Sequence, residues 1–175
     1  NDGNGNNSGH VRLYSKISDP NLGTWTWTQI GQDIDGESNG DKSGFSISLN
    51  GDGNIVAIGA PYNNGNGGNS GHVRLYSKIS DPNLSTWTWT QIGQDIDGES
   101  IGDNFGHSVS LSSDGNTVAI GAPNNNDNGG NSGHVRIYKN IGGSWTKIGQ
   151  DIDGESSYNY SGNSLGYHIT SSRND

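Results

Sequence analysis

A 62-residue period governs this chain. The string Ser-Gly-His-Val-Arg occurs three times, with its histidine at His10, His72 and His134. The stretch from Gly9 to Ser38 recurs as Gly71 to Ser100 with a single difference, Gly23 against Ser85. A fixed period marks an array of equivalent supersecondary units, each burying its apolar face against its neighbours. Near-identity of two copies also means that most shared residues have no individually unique role. The third copy is looser. It shortens SKISDPNLSTWTWTQIG to KNIGGSWTKIG and adds residues around Tyr158 to Gly162.

Composition narrows the class of unit. Apolar residues make up 27% of 175 residues and the formal charge is −9, a balance that on its own points toward disorder. Five Trp and seven Tyr, with isoleucine the commonest apolar residue, argue for ordered β-structure instead. Alanine and glutamate are scarce and Met is absent, so long helices lack their usual builders. No apolar run approaches the roughly 20 residues of a membrane-spanning helix. Without Cys there is no disulfide framework and no Cys-based zinc site. The acidic balance opposes nucleic-acid binding, which needs a Lys/Arg footprint. The lack of Met leads us to expect that Asn1 is a processed end or a cut through something longer, with any signal peptide outside this chain.

Within one period the pattern predicts four short strands. Gly106 to Ser112 alternates, with Val109 and Leu111 on one face. Thr117 to Ile120 follows across a turn in which Asp114-Gly115 reads as a type I′ hairpin, both central residues having positive φ. The segment His134 to Tyr138 alternates again, and the fourth strand runs from Trp145 to Ile152, matching Trp89 to Ile96. Four such strands per unit in tandem suit the four-stranded antiparallel blades of a β-propeller. The expected division is residues 1–38 for the last two strands of a partial blade, 39–100 and 101–156 for two full blades, and 157–175 for the first strand of a truncated blade. Fewer than three periods should not close a ring, so an open all-β fragment of a larger propeller is expected, with exposed edges.

Two motifs then name a family. The unit FGHSVSLSSDGNTVAIGAP, Phe105 to Pro123, carries Phe105-Gly106 and Gly121-Ala122-Pro123; the earlier copy keeps Gly59-Ala60-Pro61 but has Ser43 in the Phe position, and the last begins Leu165-Gly166. The chain resembles the FG-GAP repeats of integrin α-subunit β-propellers and their relatives. In this reading the glycine of Phe-Gly admits a neighbouring backbone, the Phe fills the space between blades, and Gly-Ala-Pro ends a strand.

The resemblance implies a calcium loop just before the Gly-Ala-Pro strand. Asn50 and Asp52 match its middle and Asp114 is the second copy's counterpart, so these are the candidate metal residues and calcium the candidate cofactor. The closing Asp is absent, and a plain hairpin turn accounts for the same residues. The acidic run Asp33, Asp35, Glu37 and Asp41 recurs as Asp95, Asp97, Glu99 and Asp103, then Asp151, Asp153 and Glu155. It reads as a solvated turn between blades or as a calcium or paired-carboxylate site. Catalysis would need carboxylates unique to one repeat, and none stands out. His10, His72 and His134, with Arg12, Arg74 and Arg136, are read as structural residues of an outer face or seam, and His107 and His168 as no better candidates.

The Asn/Gly loops Tyr62 to Ser70 and Asn124 to Ser132 are either filler or a binding surface. The candidate ligand contacts are Asn63, Asn64, Asn66, Asn69, Asn124, Asn125, Asn126, Asp127 and Asn131. Trp87 joins them as an exposed stacking platform, whereas Trp89 and Trp145 are expected between blades. Sequons stand at Asn6, Asn83 and Asn159. The function expected is an extracellular, non-catalytic binding or adhesion module. Its partners would be a protein or carbohydrate and the remaining blades of the same polypeptide. A non-catalytic accessory domain of a larger secreted carbohydrate-active enzyme, or a purely structural surface repeat, are the alternatives.

Overall fold

The computed structural model describes residues 4–19, 21, 23–81 and 86–163. Among these residues the chain is all-β, with thirteen strands and no helix. The first repeat supplies β1 (His10–Val11), β2 (Tyr14–Asp19), β3 (Thr24–Gln29) and β4 (Ile34–Asp35), paired β1 with β4 and β2 with β3. The second supplies β5 (Ser46–Leu49), β6 (Ile55–Ala60), β7 (His72–Asp81), β8 (Thr86–Gln91) and β9 (Ile96–Asp97). They form an antiparallel sheet in the order β5-β6-β7-β8, with β9 folded back on the start of β7. The third supplies β10 (Ser108–Leu111), β11 (Thr117–Ala122), β12 (His134–Ile141) and β13 (Ser144–Asp153), a four-stranded antiparallel meander. The sheets stay open and do not close into a barrel. Leu165, Gly166, His168 and Asn83 lie outside the described residues.

The core is the space between repeats. Val73 and Leu75 alternate on β7 and bury against Phe105, Leu111, Val118 and Ile120 of the next repeat. Val56 and Ile58 of β6 face the other way, onto Val11, Leu13 and Ile34 of the repeat before, with Trp89. The middle strand β6 is therefore buried on both faces, which is why Ile55 to Ala60 is a continuous apolar run and not an alternation.

The Phe-Gly and Gly-Ala-Pro motifs meet at this seam. Phe105 is fully buried among the seam residues. Gly106 has φ +86°, and a Cβ there would stand 2.5 Å from the His72 carbonyl oxygen of the repeat before. A Cβ on Gly59 would in turn stand 2.1 Å from the Gly106 oxygen. The two backbones are too close for any side chain between them. Both β6 and β11 end at the alanine of Gly-Ala-Pro.

Two local expectations are corrected. In the hairpins only the glycine has positive φ, +70° at Gly53 and +74° at Gly115. Each turn closes earlier, Gly53 N–H to the Asn50 carbonyl and Gly115 N–H to that of Ser112. The connection is thus a longer loop with one left-handed glycine, not a two-residue type I′ turn. The fourth strand is continuous only in the third repeat. In the second it breaks at Gly93 (φ +71°), which also lies against the next repeat: a Cβ there would lie 2.5 Å from the Gly143 oxygen.

Candidate functional site

Each seam is tied by the same three devices. The first is a Trp/Gln clamp. Trp89 Nε1 donates to the Ile30 carbonyl of the preceding repeat at 2.8 Å, while Gln32 brackets the Trp89 backbone, Nε2 donating to its carbonyl and Oε1 accepting from its N–H. One repeat on, Trp145 Nε1 donates to the Ile92 carbonyl at 2.9 Å and Gln94 Nε2 to the Trp145 carbonyl. Both indoles are buried between repeats, as expected. Trp27 occupies the same place in the first repeat; no repeat packs on it among the described residues, and it is 71% exposed.

The second device is an ion pair across the seam. His72, Arg74 and Tyr76 alternate along β7 and so share one face; Arg74 Nη1 donates to the Tyr76 hydroxyl at 3.1 Å. That face meets the Asp-Gly-Glu-Ser turn of the preceding repeat. Glu37 reaches Arg74 Nη2 at 3.0 Å, and Glu99 reaches Arg136 Nη2 at 2.5 Å. Asp151 of the same repeat completes the second bridge at 2.6 Å. Among the described residues Arg12 meets no glutamate from another repeat and is ion-paired with Asp33. The acidic turns are therefore more than solvated loops: their glutamates lock onto the next repeat. Burial works against the Arg136 charge, but hydrogen bonds to Asp151 and Glu99 outweigh it and raise its pKa. The Arg136 guanidinium also holds the Asp151 carboxyl well below the usual range.

The third device is the Asn/Gly loop. Asn63 Nδ2 donates to Asp41 at 3.0 Å and Asn125 Nδ2 to Asp103 at 3.1 Å, both from buried positions. Asn64 Oδ1 accepts from the Asn69 N–H, and Asn126 Oδ1 from the Asn131 N–H. Asn66 Nδ2 bonds the Gly98 carbonyl, Asn124 donates to Asn104, and the Asp127 N–H donates to Asn125 Oδ1. Asn69 and Asn131 take left-handed φ, +55° and +51°. The asparagines thus build their own loops and are not loose filler.

Loop, turn and strand end enclose a cleft of about 430 Å³ at the first seam, lined by Glu37, Asp41, Asn63, His72, Asp95 and Asp97 among others. Burial, and only then Arg74, pushes His72 down to about 4, so its imidazole is neutral at pH 7. Burial raises the Glu37 and Asp97 carboxyls, as it does Asp103 one repeat later. In the second seam the acid oxygens of Glu99, Asp127 and Asp151 and a nitrogen of His134 lie within 4.8 Å of one another. These carboxylate–histidine clusters escaped sequence reading. The signal available was that His134 and Arg136 share a strand face; that the preceding repeat's glutamate lands on that face is not written in any spacing.

The remaining sequence candidates lie elsewhere. On β7 and β6, His72 pairs with Ala60 and Ser77 with Ile55, so the hairpins at 50–54 and 112–117 sit at the opposite end of the blade from the cleft. Asn50 Oδ1 accepts from the Asn54 and Ile55 N–H groups, and Asp52 Oδ1 from Asn54. Asp114 Oδ1 accepts from the Asn116 N–H and the Ser112 hydroxyl. These oxygens close the turns, and with the last acid missing the loops do not fit a calcium ion, which takes six to eight oxygens. Trp87 pairs with Ser80, eight residues along β7 from His72 and roughly 26 Å away at ~3.3 Å per residue. The fold does not bring it to the Asn loops. It lines an outer cleft of about 540 Å³, with Lys78 Nζ 4.8 Å from its ring centre.

One groove is apolar. Beside β1 and β2, Ile47, Leu49, Val56 and Trp89 wall a cleft of about 350 Å³. At the next seam the corresponding place is filled by β6, whose Ala57 packs with Leu75 and Leu111. Among the described residues the first repeat has no such strand, which leaves the groove open and Ile47 and Leu49 58% and 50% exposed.

Residues 95–138 match the FG-GAP repeat family, so the chain carries an FG-GAP repeat, spanning the seam just described. The segment 33–76 stands in the same place one period earlier. No curated protein matches the chain.

Proposed function

We propose that this FG-GAP repeat chain is a slice of a propeller-like, extracellular, non-catalytic binding module. Its ligand, protein or carbohydrate, is met at the end of the blades where the Asn/Gly loops and the acidic turns gather. The observation that carries this is the internal bracing of those loops. Side-chain bonds from Asn63, Asn64, Asn66, Asn125 and Asn126 hold an exposed polar surface in one shape at a 62-residue spacing, and a pre-ordered surface binds without a large ordering cost. Equivalent sites in successive repeats suit repeated, low-area contacts that gain by avidity. The remaining blades of the same polypeptide are the partners of the two open faces, and the apolar groove beside β1 and β2 is where an added inner strand belongs.

The test is binding of the chain to immobilised glycans and extracellular-matrix proteins, beside an Asn64→Ala/Asn126→Ala double variant. Binding that the variant weakens at unchanged melting temperature supports the reading. Silence across both panels favours a structural surface repeat. Binding lost instead with Trp87→Ala moves the ligand to the outer cleft.

A further inference from the structure

The Asn/Gly loops of the second and third repeats differ at two positions, Tyr62 against Asn124 and Gly65 against Asp127, and only the latter adds a carboxylate. Aligning the Asn/Gly loops places Asp127 where the second repeat has Gly65. Asp127, already a candidate loop contact, is thus also a carboxylate unique to one seam. It joins Glu99 from the preceding repeat, and His134 and Asp151 from its own, in a group whose ligand atoms lie within 4.8 Å of one another.

A cluster of acids alone says little, but His134 is different. Its side chain opens β12, is 0% exposed, and neither ring nitrogen has a hydrogen-bond partner among the described residues. An imidazole buried without a partner costs free energy unless something else takes its lone pair. Burial, then Arg136, keeps it neutral near pH 7, the form that coordinates a metal. The charge count agrees: Glu99, Asp127 and Asp151 carry −3 against +1 each from Arg136 and Lys147, so the group stays net negative.

We propose that the seam between the second and third repeats binds one divalent cation of the zinc type through Glu99, Asp127, His134 and Asp151. One imidazole nitrogen with three carboxylate oxygens is a four-coordinate, zinc-like donor set; calcium takes more ligands, all of them oxygen. Arg136 stays beside the site, holding one oxygen each of Glu99 and Asp151 and so orienting these ligands. The exposed Lys147 contact to Asp151 Oδ1 is a surface ion pair, cheap to give up. Two ligand-bearing elements belong to different repeats only at Glu99, so the ion staples the seam. The first seam, with Gly65 in place of Asp127, lacks the fourth ligand. The proposal is independent of ligand binding by the loops.

The experiment is calorimetric titration of the whole 175-residue chain with Zn²⁺ after chelator treatment, repeated with Co²⁺ while recording visible absorption. The expected result is one site per chain and a tetrahedral Co²⁺ spectrum. Affinity should fall at least ~100-fold in Asp127→Asn, whose side chain is exposed and not needed for folding, and in His134→Gln. Gly65→Asp, which meets only the Asn63 and Asp97 side chains, should raise the stoichiometry to two. Absence of saturable Zn²⁺ binding, unchanged affinity in Asp127→Asn, or Ca²⁺ binding more tightly than Zn²⁺ at these residues would each overturn the proposal. So would loss of binding in Asp52→Asn, since that residue lies at the other end of the blade.

Discussion

Trp27, Trp89 and Trp145 form a natural experiment. Trp27 and Trp89 sit in the same local sequence, Thr-Trp-Thr-Trp-Thr-Gln-Ile-Gly-Gln, and in equivalent strands. They differ in whether a repeat packs on them among the described residues: Trp27 is 71% exposed and Trp89 3%. Propensity and strand pairing therefore cancel between the two, and the difference is the seam. Replacing a buried Trp by Ala costs about 3–5 kcal/mol through lost burial and the cavity left behind. At Trp89 the Ile30 carbonyl loses its donor as well. At Trp27 the same change should stay within about 0.5 kcal/mol, as for surface positions generally. For a chain of this size each kcal/mol moves the midpoint by about 2–4 °C, so Trp89→Ala and Trp145→Ala should lower it by about 6–20 °C and Trp27→Ala by about 2 °C or less. Trp89→Phe keeps most of the ring but drops the N–H, and should lose about 1 kcal/mol. Scanning calorimetry is the assay, because tryptophan fluorescence changes with the substitutions themselves. Equal losses at Trp27 and Trp89 would refute the claim that the core lies between repeats.

Other outcomes follow from the same seams. Gly71→Ala should destabilise by more than the about 1–2 kcal/mol of a left-handed residue, because its Cβ would stand 2.1 Å from the Phe105 oxygen; Gly142→Ala, also at positive φ but in open space, should cost only that strain, and urea midpoints compare the two. Fusing a copy of residues 39–62 ahead of residue 1 supplies the inner strands that the first repeat lacks, and should cover Ile47 and Leu49. Calorimetry should then show a higher midpoint and dye binding to exposed apolar surface should fall; an unchanged midpoint would mean that the groove is not a strand site. In chelator, His72 should make stability fall as pH drops from about 6.5 toward 4. Its folded pKa of about 4 lies below the unfolded value, so the unfolded chain binds the extra proton in that window. Glu37 and Asp97, raised by burial, act in the opposite sense, so the readout is the slope that His72→Gln removes.

Much of the fold was legible because the repeat and the two glycine motifs are local. Asp-Gly turns, Gly-Ala-Pro stops and the alternation of His134 to Tyr138 can each be read within a few residues. The hairpin type was misread because Asp-Gly fits several loops, and the length of the loop decides among them. The break in the fourth strand was missed although its signal is local: Gly31, Gly93 and Gly149 all take left-handed φ, +73°, +71° and +72°, within a run that reads as one strand. The candidate site was hidden for a different reason. Glu99 and Arg136 belong to different repeats, and only the packing of one blade on the next brings them to 2.5 Å.

This separation explains how near-identical copies come to differ in chemistry. The seam needs the Trp/Gln clamp, the close glycines and the Glu–Arg bridge in every copy, so those residues recur. The side chain at the Gly65/Asp127 position makes none of these recurring contacts, and so that position is free to be Gly65 in one copy and Asp127 in the next. A single loop substitution, set beside a histidine that the second and third copies both bury, is enough to distinguish one seam from another. In an array of this kind new sites should therefore be sought at positions where copies disagree and that face residues on which they agree.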